Sequence, residues 1–93
     1  MDRVKVKLFA TFREVADRSR VDVELGDQSN LRGLLGELCE SFPDLNEELF
    51  KGSELSNEVI ILKNGRNIIF LDNLNTKLSN GDEIAIFPPV GGG

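Results

Sequence analysis

Hydrophobic and polar positions along the chain switch between two periods. In VKVKLF, Val4, Val6 and Leu8 fall on one side and Lys5 and Lys7 on the other, which predicts a half-buried strand. Phe9 then lands on the lysine side. Phe12, Val15 and Ala16 have helical spacing, so a short helix or helical turn follows. VDVEL alternates again, with Val21, Val23 and Leu25 inward and Asp22 and Glu24 outward. GDQSN is a turn cluster in which Ser29 or Asn30 can cap the next helix. That helix carries Leu31, Leu34, Leu35, Leu38 and Phe42 on one stripe, and Pro43 ends it. Gly33 and Gly36 weaken its interior and suit a helix lying close on a sheet.

DLNEELFKGSELSNE is polar, with Leu45, Leu49 and Phe50 as anchors, and predicts a connection containing about one helical turn. Val59 to Leu62 is an unbroken apolar run, as in a strand that is central or covered on both faces. Asn64-Gly65 marks a hairpin turn, because type I′ needs positive φ at both central residues. Ile68 to Leu71 reads as the returning strand. After a second Asn-Gly turn, Ile84 and Ile86 point inward in the last strand, while Glu83, Ala85 and Phe87 point outward. The order β, short α, β, long α, β, β, β predicts an α+β domain of two layers. Strand order does not follow from periodicity.

Ninety-three residues form one domain. The net charge of −5 disfavours nucleic acid and anionic membranes as partners and is compatible with a basic groove on another protein. The single cysteine, Cys39, rules out a disulfide within the chain and favours a cytoplasmic setting. No apolar run is expected to act as a signal peptide or to span a bilayer. Histidine, tryptophan and tyrosine are absent, so the commonest general base and metal ligand is missing. One thiol cannot build a thiolate zinc site. Beside Leu35 and Leu38 on the long helix, Cys39 reads as a buried structural thiol rather than a nucleophile. Glu47, Glu48, Glu54 and Glu58 match no common ligand spacing and read as a solvated face. An enzyme's own catalytic centre is not expected, and neither is a bound metal or cofactor.

The chemistry lies in the ending AIFPPVGGG. Pro88 and Pro89 lack N–H groups and cannot continue a ladder, so they lead the chain off the sheet. The six residues from Pro88 can reach about 20 Å. Glycines alone read equally as a frayed end or linker. Pro-Pro directly after a good strand points elsewhere: a terminal carboxylate on a stalk stiff at its base, with glycines narrow enough to enter another protein's active site. Residues 1–87 would then be the folded domain and 88–93 a flexible tail. A carboxylate is a poor acyl donor until activated, for instance as an adenylate. This chain has no nucleotide-binding Gly-rich loop, so a partner must supply ATP and magnesium.

KLFATFRE, LLGEL…FP and LSNGDEIAIFPPVGGG resemble the MoaD/ThiS group of ubiquitin-like sulfur carriers over essentially the whole chain. NGRNIIFLDNLNTKL resembles its archaeal members, which include the small archaeal modifier proteins. The resemblance implies the β-grasp fold, a mixed sheet of about five strands packed on one main helix. It implies a carrier whose terminal glycine is adenylated by an E1-like enzyme and converted to a thiocarboxylate. Gly93 would be the acyl residue and Gly92 its required neighbour, with Gly91 at a variable position. Phe87-Pro88-Pro89-Val90 is closer to the MoaD side, which implies molybdopterin synthesis and the large subunit of molybdopterin synthase as a partner. Thiolation of tRNA, or isopeptide bonds to lysines of target proteins, are the alternatives within the family. A ubiquitin-like interaction module with an inert tail is the alternative outside it.

Phe9 and Phe87 both fall on the non-core face. Neighbouring first and last strands would bring them together at the root of the tail. Exposed aromatic pairs are typical contact sites. Phe9, Phe87 and Ile68, with Pro88, Pro89 and Val90, are therefore the expected docking surface for the activating enzyme or the synthase. Lys5 and Lys7 lie beside it.

Overall fold

A computed structural model describes residues 2–26, 29–56 and 58–88. The elements follow in order: strand β1 (Arg3–Leu8), helix α1 (Ala10–Ala16), strand β2 (Arg20–Glu24), helices α2 (Leu31–Ser41) and α3 (Asp44–Leu49), strands β3 (Phe50–Lys51), β4 (Glu54–Leu55), β5 (Ile60–Lys63) and β6 (Arg66–Asn67), and strand β7 (Glu83–Phe87). Two 3₁₀ turns, Ile68–Phe70 and Asn73–Asn75, lie between β6 and β7.

The sheet order is β2-β1-β7-β5-β6. Only β1 and β7 run parallel; the other pairs are antiparallel. This supplies the strand order that periodicity left open and makes the sheet mixed. The parity of the strands holds: Val4, Val6, Leu8, Ile84 and Ile86 are buried. Across from them α2 buries Leu31, Leu34, Leu35 and Leu38, each contributing roughly 1.5–3 kcal/mol. Asn30 caps α2, its Oδ1 accepting from Gly33 N at 2.9 Å. Leu45 and Leu49 of α3 close one end of the core.

Several expectations are corrected. Ile68 to Leu71 is not a strand. β6 stops after Asn67, whose side chain accepts from Ile69 N at 3.1 Å and starts a 3₁₀ turn. Of the two readings of β5, the central one holds, since it lies between β7 and β6, and the covered one does not: Ile61 is buried, whereas Ile60 on the outer face is 39% exposed. Gly36 does not sit against the sheet, because a Cβ built there would meet nothing within 4 Å. Cys39 is half-buried rather than enclosed. The Asn64-Gly65 hairpin turn is as expected, with φ of 49° and 86°.

Candidate functional site

The site starts from the parallel register of β1 and β7, in which Leu8 lies beside Ile86. One residue further along both strands, Phe9 and Phe87 turn to the outer face. Their rings stack with centroids 4.3 Å apart and planes 12° from parallel. Such stacking adds about 0.5–1.5 kcal/mol beyond the area it buries. Phe9 keeps extended backbone angles, φ −126° and ψ 152°, and the chain turns into α1 at Ala10, where φ is 51°. The reversal therefore falls on Ala10 and leaves the Phe9 ring beside its partner.

Across β7, Ile60 of β5 pairs with Phe87, and Leu62 pairs with Ala85. Residues directly opposite each other share a face. Phe9, Phe87 and Ile60 thus form an apolar strip, continued by the half-buried Ala85 and Leu62. Its polar margin is the Lys7–Glu83 ion pair at 2.8 Å. The Lys7 ammonium, by its hydrogen bond and its charge, holds the Glu83 carboxyl below its usual range. Lys7 is therefore already partnered within the chain, and Lys5 is the exposed cation beside it.

Pro88 leaves β7 at this strip and is half-buried. Pro89, Val90, Gly91, Gly92 and Gly93 lie outside the described residues. Ile68 does not join the docking face. It is 3% exposed and belongs to the core, because the turn begun by Asn67 rotates it inward. The same turn projects Ile69 and Phe70 outward, 62% and 77% exposed. The sequence signal for this was Asn67 directly before the apolar run, since asparagine side chains cap turns.

At the other end of β7 a polar cluster fixes the strand. Asp82 accepts from Asn64 Nδ2 at 3.0 Å and from Ser79 N at 2.8 Å, with the Lys63 ammonium 3.8 Å away. Asn64 in turn accepts from Glu83 N at 2.9 Å. Burial pushes the Asp82 carboxyl up, but these donors and Lys63 together outweigh it and hold it below its usual value. Burial also raises the Cys39 thiol, so the thiolate a nucleophile needs is disfavoured. Among the described residues no group of three His, Cys, Asp or Glu is placed to hold a metal ion. No helix among them is long and apolar enough to cross a membrane.

A mixed sheet curled on one main helix, with its last strand ending at an apolar face, defines the ubiquitin-like β-grasp class of small carriers. The chain belongs to the ThiS family, whose model matches residues 6–93, and is a sulfur carrier of the MoaD/ThiS type. It is similar to small archaeal modifier protein 3 of Haloferax volcanii, 34% identical over 97% of this chain and 98% of that one. It is also similar to the molybdopterin synthase sulfur carrier subunit of Aedes aegypti, 32% identical over 98% and 89%. The solution structure of small archaeal modifier protein 1 from Methanosarcina acetivorans superposes with a TM-score of 0.88 at 39% identity, covering 100% of this chain and 98% of that one. These relatives are carriers or modifiers rather than catalysts.

Proposed function

We propose that this chain carries sulfur on the carboxylate of Gly93 for molybdopterin synthesis. In the first step the carboxylate attacks the α-phosphate of ATP, held with magnesium by an E1-like partner, forming an acyl adenylate and releasing pyrophosphate. Hydrosulfide from a donor displaces AMP and leaves a thiocarboxylate. The large subunit of molybdopterin synthase then presents a pterin precursor to that sulfur, and hydrolysis returns the carboxylate. Gly92, as the neighbouring residue, gives the narrow approach both partners need. Pro88, Pro89 and Val90 set the span between the docking face and the chemistry.

The observation that carries this reading is the Phe9–Phe87 stack at the point where Pro88 leaves β7. A partner gripping that face has the start of the tail in hand. The test is intact mass after incubation with the activating enzyme, ATP and a sulfur donor. Exchange of one oxygen for sulfur supports the carrier chemistry, and an unchanged mass with an active enzyme counts against it. Phe87→Asp should leave the fold intact and weaken partner binding by about 2 kcal/mol or more, as for a central interface aromatic. Unchanged affinity would remove the docking face from the account.

A second reading is favoured by the similarity to small archaeal modifier proteins. In it Gly93 is activated in the same way, but the acceptor is a lysine of a target protein. Lysines carrying a Gly-Gly remnant after protease digestion of cell extracts would establish it. Their absence, together with a measured thiocarboxylate, leaves the carrier role alone.

A further inference from the structure

The sheet has two edges. One is β6, two residues long and cut short by the 3₁₀ turn. The other is β2, five residues long. Leu25 N donates to Asp2 O at 2.8 Å, and Leu8 N donates to Ser19 O at 2.9 Å. With the β1–β2 register, these bonds commit the backbone of Val21, Val23 and Leu25 to β1. Arg20, Asp22 and Glu24 therefore turn their N–H and C=O groups away from the sheet, and no described strand pairs with them. Such an edge is a template for one more strand.

At the C-terminal end of this edge a groove of about 390 Å³ opens between β2 and α2. Leu25, Gly33, Leu34 and Gly36 line it, together with Glu24 at the end of β2 and Glu37 and Glu40 of α2. The space above Gly36 is open. All the charged groups among the described residues lining the groove are carboxylates. Glu24 also reaches Arg3, but at 3.5 Å between two exposed side chains, which leaves it available to another cation.

We infer that the β2 edge and this groove bind an extended segment of another protein, one that carries a small apolar residue beside lysine or arginine. Backbone pairing to Asp22 and Glu24 supplies the strand geometry. The groove takes the apolar side chain, and the Glu37 and Glu40 carboxylates of α2 select cationic neighbours. A second copy of this chain fits less well. Antiparallel pairing about Asp22 would set that carboxylate against its twin and Arg20 against Glu24 on the sheet's outer face, but it would leave Glu37 and Glu40 of the groove without a cation. Glu24 pairs with Arg3 at the start of β1, whereas Phe9 follows the end of that strand, so the groove and the Phe9–Phe87 face lie at opposite ends of β1.

The probe is a capped synthetic peptide alternating lysine with valine around a central alanine. A glutamate-for-lysine version is the control. Titrated into isotope-labelled full-length protein, the lysine peptide should slow exchange of the Asp22 and Glu24 amides and shift Gly33 and Gly36. Phe9 and Phe87 should stay unmoved. Gly36→Leu, which fills the groove, and Glu37→Lys with Glu40→Lys, which reverses the charge of its α2 side, should each weaken binding about tenfold or more while the remaining amide spectrum stays native. The proposal is overturned by shifts centred on Phe87, equal binding of the glutamate peptide, unchanged affinity in both variants, or no shift at millimolar peptide. Protection of the β2 amides by self-association alone would make the edge a dimer contact instead.

Discussion

Ala10, the first residue of α1, adopts a backbone conformation that a side chain disfavours, φ 51°, directly after the half-buried Phe9. The left-handed region costs a non-glycine residue roughly 1–2 kcal/mol. It is held there because Leu8 must stay in the core while Phe9 stays on the outer face, which leaves Ala10 to make the turn. Ala10→Gly should therefore stabilise the fold by about 0.5–1 kcal/mol once glycine's extra chain entropy is subtracted. A denaturant midpoint that falls instead would show that the angle is not strained. At this scale the stacked pair was legible in two parts: strand parity assigns Phe9 and Phe87 to the outer face, and the β-grasp resemblance makes their strands neighbours. Ile68 was misplaced for a local reason: one hydrogen bond from Ile69 N to the Asn67 side chain replaces period two with a tight turn. The exposure of Ile69 and Phe70 follows from the same bond.

Among the elements, those with long amphipathic patterns were the legible ones. β1, β7 and α2 each bury the stripe their spacing marks, and Asn30 caps α2. The β3–β4 hairpin went unread: each strand has two residues, too few for a period, and its turn rests on Gly52 at φ 66°. The unbroken run from Val59 to Leu62 left β5 either central or covered on both faces, and it is central. The outer face of β5 is in fact open, and Ile60 extends the Phe9–Phe87 strip there. The docking proposed above would account for apolar residues on that face, which the chain's own packing leaves open. α2 carries the clearest element-scale test. Gly36 has ordinary helical surroundings and open space where a Cβ would sit. Gly36→Ala should raise stability by about 0.5–1 kcal/mol through helix propensity. A loss of stability in urea unfolding would mean that the backbone at Gly36 is held close to something after all.

For the molecule as a whole, the two ends of β7 would have different tasks under the proposed function. If the Phe87 end presents the docking face, the strand must be anchored at the other end so that a bound partner does not peel it away. The Asp82 cluster is that anchor, tying the Asn80-Gly81 turn to the Asn64-Gly65 hairpin, while Gly81 N donates to Arg3 O at 2.8 Å and joins β1. Because its folded-state carboxyl lies below the ordinary aspartate value of about 3.9, Asp82 stabilises the fold above that pH. The contribution is lost as pH falls through the lower folded value. Glu83 is depressed in the same direction, but its exposed pair with Lys7 is screened by salt and adds little. Asp82→Asn places an amide NH₂ among N–H donors and should lower stability at neutral pH by about 1–2 kcal/mol. It should also flatten the acid limb of the stability curve below about pH 4, an effect that survives high salt because the lost contacts are mainly hydrogen bonds. Unfolding curves across that pH range decide the matter: an acid limb equally steep in the variant would place the anchor of β7 elsewhere.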